Sequence, residues 1–166
     1  NTLPGYQKLS DPAVRAKFSE AWMAPISEHE GLKSTEVMNA AAKGEVKGLF
    51  IFGEDPMRTD PDIGHVAHAL STLDFLVVDE LFLTETAKMA DVVLPGRAYA
   101  EKEGVFTNTE RRVQRVRKAV EANPGTRDDI WIFTEIMRRM GYDQPHLTSA
   151  QVMDEMASLT PSYAGM

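Results

Sequence analysis

A chain of 166 residues has the length of one domain, and its 43% apolar content is typical of a protein with a hydrophobic core. Because acidic residues outnumber basic ones by 25 to 18, the net charge of −7 makes nucleic acid a poor partner. The absence of cysteine excludes thiolate metal ligands and iron–sulfur ligation within this chain, and no apolar run approaches the roughly 20 residues that cross a bilayer.

The first part of the chain predicts two helices. Asp11-Pro12 is typical of a helix start, with a capping side chain followed by proline at the first helical position. Apolar residues then recur at four-residue spacing and predict one helix face: Val14, Phe18 and Trp22. A second short helix is predicted over 34–43. We expect residues 1–47 to form a helical lead-in that packs on the rest of the domain.

Three short apolar runs follow and are predicted to be strands: the first is typical of a strand buried on both faces, and the second is also predicted to be buried. They cover Leu49–Phe52, Phe75–Val78 and Asp91–Pro95. Helical segments separate them, the first capped by Asp60 and the second over 84–89. Strands that alternate with helices through short connections predict parallel pairing. We therefore predict an α/β fold, a single domain with a Rossmann-like parallel sheet and helices on both faces, whose core covers residues 48–143.

The rest of the chain is polar at first and then helical. Weak alternation from 104 to 120 predicts an irregular strand or hairpin. An amphipathic helix is predicted over Asp129–Met140, with four residues facing inward: Ile130, Phe133, Met137 and Met140. Residues 144–166 are predicted to form a C-terminal helical extension that is truncated. A start at Asn1 instead of methionine also suggests an excised fragment.

Acidic residues follow the first two predicted strands. Glu54 and Asp55 come after Gly53, and the Asp79-Glu80 pair ends the second strand. Ligands of open parallel sheets bind outside the carboxyl ends of the strands, and an acid after the second strand is where dinucleotide folds hold a ribose. The first turn lacks the glycine pattern that cradles a pyrophosphate. A carboxylate suits two adjacent donors instead, such as guanine N1–H and its amine. A purely structural role, with a turn at Gly53 and a cap at Asp55, remains the alternative.

Longer motifs resemble the catalytic alpha subunit of formate dehydrogenases, within the molybdopterin oxidoreductase family. They are GEDPMRTDPD, DFLVVDELFLTETAKMADVVLP and AEKEGVFTNTERRVQRVRKAV, flanked by LPGYQ and SLTPSYAGM, so the resemblance covers nearly the whole chain. It implies a larger parent that oxidises formate to carbon dioxide. It also implies a molybdenum or tungsten ion held by two molybdopterin guanine dinucleotides, and an iron–sulfur cluster. Without cysteine, this chain would supply neither the metal ligand nor the cluster ligands, so no catalytic residue and no metal ligand is assigned to it.

The resemblance also implies which residues contact the dinucleotide. It points to Asp55 and Thr59, to the Asp79-Glu80 pair, and to Asp129 for guanine. Many relatives have a neutral glutamine or serine in place of Asp79, which leaves Glu80 the better candidate for the ribose. The complete predicted site is Gly53, Glu54, Asp55, Thr59, Asp79, Glu80 and Asp129.

Asp129 also has a structural interpretation. Thr126-x-x-Asp129 fits a capping box, in which the acid serves the start of the helix. One carboxylate cannot serve guanine and the cap equally well. The resemblance favours the ligand role.

Two further patterns are interpreted as surface features. His65 and His68 lie three apart on a predicted helix, which is a spacing of metal ligands, but no third ligand is near in sequence. We interpret them as part of a solvent-facing helix. The basic run from Arg111 to Lys118 is interpreted as a solvated face or a contact with missing parts of the parent, and not as a nucleic-acid site.

Two rival functions remain open. The chain could be the equivalent domain of an NADH–quinone oxidoreductase large subunit, in which the domain is retained without molybdenum. It could also be an interaction module that binds no nucleotide. The intact GEDP turn and the strand-end acids favour the formate dehydrogenase subunit over both rivals, because a domain without a cofactor has no need of them. The expected partners are the other domains of the parent subunit, and the expected compartment is the cytoplasm.

Overall fold

A computed structural model describes residues 1–165 and divides them into two compact units. The smaller unit contains residues 1–34 and those from 148 onward, and the larger contains residues 35–147. In the part of the chain that the structure describes, no helix is both long enough and apolar enough to cross a membrane.

The helices and strands have the following bounds. The helices are α1 (Pro12–Trp22), α2 (Ser34–Ala42), α3 (Pro56–Thr59), α4 (Ile63–Ser71), α5 (Glu85–Lys88), α6 (Asp129–Arg139) and α7 (Ser149–Leu159). The strands are β1 (Thr2–Leu3), β2 (Gln7–Lys8), β3 (Gly48–Phe52), β4 (Phe75–Glu80), β5 (Val92–Pro95), β6 (Gly104–Thr107) and β7 (Val113–Val116).

The smaller unit joins both ends of the chain. Asp11 Oδ1 accepts a hydrogen bond from Ala13 N at 2.9 Å, which confirms the predicted start of α1. Lys17 Nζ and Gln7 Nε2 both donate to the carbonyl oxygen of Leu159, at 2.7 and 3.0 Å. Since Lys17 lies on α1, Gln7 on β2 and Leu159 at the end of α7, these bonds tie α1 and β2 to the end of α7.

A three-stranded parallel sheet organises the larger unit. Its strand order is β3-β4-β5, with α4 between the first two strands and α5 between the last two. Phe52 lies opposite Asp79, and Glu80 lies opposite Pro95. The predicted α/β fold with a parallel sheet is therefore confirmed. β4 continues two residues further than predicted, so Asp79 and Glu80 lie inside the strand and point to opposite faces of the sheet.

The two faces of the sheet are covered to different degrees. One face packs a core against α4 and α5, formed by Ile51, Val66, Leu70, Leu76, Val78 and Ala87. On the other face, the rings of Phe50 and Phe52 contact Phe133 of α6, with centroid distances of 5.6 and 5.1 Å. Helices on both faces are thus confirmed. Burial of β3 on both faces is not, because one short helix leaves Phe52 48% exposed.

Two helix caps differ from those that the sequence suggested. α4 is capped by Asp62, whose Oδ1 accepts from His65 N at 3.0 Å, while Asp60 accepts from Asp62 N in the preceding turn. α6 is capped by Asp128, whose Oδ1 accepts from Trp131 N at 3.0 Å. The predicted capping box that used Asp129 is therefore wrong.

The buried side of α6 also differs from the prediction. Ile132 and Thr134 are its buried residues, whereas Met140 is 82% exposed. Met140 lies beyond the last helical residue, where the periodic face no longer continues. The predicted hairpin after the sheet is confirmed, with β6 and β7 paired antiparallel.

Candidate functional site

The carboxyl ends of the three parallel strands lie side by side. Gly53 N donates to the carbonyl oxygen of Asp79 at 2.9 Å, and Gly96 N donates to that of Glu80 at 3.2 Å. Gly53 has a φ of +62°, a conformation that costs other residues more than glycine, and it turns the chain from β3 towards α3. These contacts place the ends of β3, β4 and β5 along one edge of the sheet.

Asp55 is occupied by a contact with α5. Its Oδ1 accepts from Thr86 Oγ1 at 2.5 Å, and the same hydroxyl oxygen accepts from Met57 N at 3.1 Å. Thr86 is completely buried. Thr59 Oγ1 donates to the carbonyl oxygen of Asp55 at 3.1 Å, within its own helical turn. Asp55 therefore connects the start of α3 to α5, and its side chain binds Thr86 instead of capping α3. Thr59 makes its hydrogen bond within its own turn.

Replacing Thr86 with valine tests this connection. The substitution keeps the shape of the side chain but leaves the Met57 N–H and the Asp55 carboxylate without their shared partner. We expect a loss of about 1–2 kcal/mol in the free energy of unfolding, measured by urea titration. The matched control is Asp55→Asn, which keeps an oxygen acceptor for Thr86 and should cost less. Equal stability of Thr86→Val and the wild type would contradict the structural role of this hydrogen bond.

Asp79 is buried at the end of β4. The residue is 2% exposed, and its Oδ2 atom has no hydrogen-bond partner among residues 1–165. Burial and the nearby Asp129 carboxylate raise the pKa of Asp79 to about 6, with a smaller contribution from Glu80, while Lys102 opposes this shift. A buried carboxylate oxygen without a donor is costly, and it marks a position where a bound donor would be stabilised.

Asp129 lies beside Asp79 and carries an ion pair. It is the first residue of α6, and its carboxylate pairs with the ammonium of Lys102. A methyl group built on Gly96 would lie 3.0 Å from Asp79 Oδ1 and 3.6 Å from Asp129 Oδ1. Both carboxylates therefore border the space above Gly96. We call Asp79, Gly96, Lys102 and Asp129 the acid-pair site.

The remaining predicted residues lie at or near the same edge with other orientations. Glu80 is half-buried, and its Oε1 accepts from the backbone N–H of Leu81 at 2.6 Å. Its side chain points to the face of the sheet opposite to Asp79. Glu54 is exposed in the turn after Gly53. The structure thus brings Asp79 and Asp129 together, while Asp55 and Thr59 are turned towards α5 and their own helix.

Sequence reasoning missed two members of the acid-pair site. Gly96 and Lys102 both lie in segments that follow β5, and Lys102 is 27 positions from its partner Asp129. No local pattern connects residues at that separation. One signal was available, because Lys102 lies inside the AEKEG motif that carried the family resemblance.

One of the two histidines on α4 is less exposed than expected. His65 Nε2 is buried and has no hydrogen-bond partner among residues 1–165, whereas His68 is exposed. The interpretation of both as solvent-facing is therefore wrong for His65. The residue as a whole is half-buried.

The chain is similar in sequence to a known protein family and to several of its members. A sequence model of the family described as molybdopterin oxidoreductase matches residues 12–139. The chain is 47% identical to formate dehydrogenase 2 subunit alpha of Methanococcus maripaludis and covers 25% of that protein. It is 40% identical to formate dehydrogenase H of Escherichia coli, of which it covers 23%. These matches involve 100% and 99% of the chain, which thus spans about a quarter of the length of these relatives.

A solved structure has the same fold. Acetylene hydratase from Pelobacter acetylenicus matches 93% of the chain with a TM-score of 0.63, and the match covers 22% of that protein. The sequence identity is 22%, so this likeness concerns the fold alone.

Proposed function

Because the chain belongs to the molybdopterin oxidoreductase family, we propose that its acid-pair site binds the guanosine arm of a molybdopterin guanine dinucleotide. The observation that carries this proposal is the buried Oδ2 atom of Asp79, which lacks a donor among residues 1–165. Guanine presents two adjacent donors, N1–H and the exocyclic amine, to a carboxylate. Charge-assisted hydrogen bonds of this kind are about twice as strong as neutral ones.

The chemistry of the site fits such a ligand. Asp79 and Asp129 provide carboxylate acceptors that both border Gly96, and they approach it so closely that a side chain at this position would crowd them. Glu80 is our candidate for the ribose hydroxyls, since it lies at the end of the second parallel strand. We propose that the turn after β3 forms the margin of the site, with Gly53, Glu54, Asp55 and Thr59. The Asp55 oxygen that binds Thr86 has a structural role there.

We propose that the parent is a formate dehydrogenase-like protein that oxidises formate to carbon dioxide. Its relatives by sequence carry that name, and the chain covers about a quarter of their length. When bound, the molybdenum or tungsten cofactor would supply the two-electron chemistry of that reaction. The residues of this chain would bind and orient the guanosine arm, while the metal ligand and an iron–sulfur cluster would come from other segments.

The proposed partners are the other domains of the parent subunit. The loop after β4 exposes three apolar side chains in succession, with Leu81 47%, Phe82 76% and Leu83 64% exposed. A contiguous apolar patch of this kind is typical of a surface that another domain or protein covers. This supports a domain that functions inside a larger subunit.

Nucleotide extraction tests the proposed function. We expect the full-length protein that carries this sequence to release GMP on acid hydrolysis, together with molybdenum or tungsten in metal analysis. Chromatography identifies the nucleotide, and plasma mass spectrometry identifies the metal. A purified protein with neither nucleotide nor metal would overturn the proposal in favour of a domain retained without cofactor or an interaction module. Release of a nucleotide other than GMP would overturn the guanine assignment.

A further inference from the structure

Lys102 is held close to both acids by a fixed turn. It follows the 3₁₀ helix Tyr99–Glu101, whose Glu101 carboxylate accepts from Ala98 N at 2.9 Å and from Asn123 N at 3.1 Å. These bonds fix the backbone on which Lys102 stands. Its ammonium pairs with the Asp129 carboxylate, and its side chain is only 21% exposed. The pair is therefore better protected from solvent screening than a surface salt bridge.

The charges around Asp79 come from several elements. Asp129 faces it from α6, Lys102 from the segment after the 3₁₀ helix, and Glu80 from the same strand. The neighbouring Arg97 lies 3.8 Å from the α6 cap Asp128 and belongs to that pair. Lys102 is thus the cation that acts on both Asp79 and Asp129.

We infer that Lys102 is a positioning residue for the guanine arm: its ammonium balances one carboxylate of the Asp79–Asp129 pair and leaves the other as an acceptor for the purine's two donors. The inference rests on the proposed function. Two carboxylates that border the same glycine, without a cation, favour uptake of a proton by one of them. A protonated acid would direct an O–H group at the N1–H and amine of guanine. Removal of the ammonium would therefore replace a carboxylate that accepts from guanine with an O–H donor that faces the N–H donors of guanine.

Lys102→Met and Lys102→Arg in the full-length protein test the inference. Methionine removes the charge but keeps an unbranched side chain, and arginine keeps the charge. GMP released from the purified protein is measured after equilibration at pH 7 and at pH 8.5. If loss of the cation raises the pKa of Asp79 by one or two units, GMP retained by Lys102→Met at pH 7 falls by about twofold to tenfold. It recovers towards the wild-type amount at pH 8.5, and Lys102→Arg retains GMP at both pH values.

A second measurement follows the titration of the Asp79 carboxyl group. Carboxyl carbon NMR of the 166-residue chain should show the titration midpoint of Asp79 at higher pH in Lys102→Met than in the wild type. Circular dichroism verifies that the variant is folded. The inference is overturned if the variant retains GMP like the wild type at pH 7, or if its loss does not recover at pH 8.5, which would indicate a structural role. Absence of GMP from the wild-type protein overturns the proposed function and the inference together, whereas the other two outcomes leave the proposed function intact.

Discussion

Substitution of Asp129 by alanine in the full-length protein is expected to weaken retention of the proposed guanine-containing cofactor by roughly 1.5–3 kcal/mol, or about tenfold to a hundredfold. The loss arises because the substitution leaves one carboxylate where the proposed site needs two, one for the Lys102 ammonium and one for guanine. Lys102, whose ammonium pairs with Asp129, would then turn to the remaining acid, Asp79. The measurement is the amount of GMP retained after dialysis, relative to the wild type.

The neighbouring residue provides a matched control. Asp128 caps α6 through its contact with Trp131 N, and Asp129 makes no part of that cap. Asp128→Ala should therefore lower the free energy of unfolding by about 1 kcal/mol and leave the GMP content unchanged. Full GMP content in Asp129→Ala would contradict the ligand role. Equal GMP loss in Asp128→Ala and Asp129→Ala would indicate that GMP retention depends on the start of α6 and not on a contact of the Asp129 carboxylate with the ligand.

The fold was predictable because its signals are local. Each parallel strand is a short apolar run, and the alternation of strands and helices restricts the sheet to parallel pairing. The hairpin β6–β7 and the start of α1 also follow from patterns within a few residues. The errors in the fold are local too. Two nearby aspartates compete for each of two helix starts, and pattern alone does not determine which one reaches a backbone N–H.

The site was predictable only in part, because its geometry depends on residues far apart in sequence. Strand-end acids could be located from the strands, but the extra length of β4 decides that Asp79 faces α6 and Glu80 faces away. The partner of Asp55 is Thr86, 31 positions away, and that of Asp129 is Lys102, 27 positions away. Such contacts arise from packing of elements, so no periodicity within one segment indicates them.

A final expected result concerns stability against pH. Asp79→Asn in the 166-residue chain should be more stable than the wild type by roughly 2–3 kcal/mol at pH 7.5, since each unit of pKa corresponds to about 1.4 kcal/mol. The pKa of Asp79 is raised from 3.8 to about 6 in the folded chain, chiefly by burial. Between these two values the folded state binds more protons than the unfolded state, so wild-type stability falls as the pH rises. Above about pH 6 the cost of the buried charge is complete.

Asparagine carries no charge at any of these pH values, so its advantage should shrink as the pH falls through 6 and vanish near pH 4. Urea unfolding at pH 4, 5.5 and 7.5 measures this difference. The control is Glu80→Gln, a half-buried neighbour on the other face of β4, which removes one charge but leaves the buried Asp79 carboxylate in place. A stability difference for Asp79→Asn that does not change with pH would refute the titration of Asp79. Stabilisation of the chain by Asp79→Asn at pH 7.5, together with loss of GMP from the full-length protein that carries the same substitution, would show that the buried charge of Asp79 destabilises the fold but is needed for ligand binding.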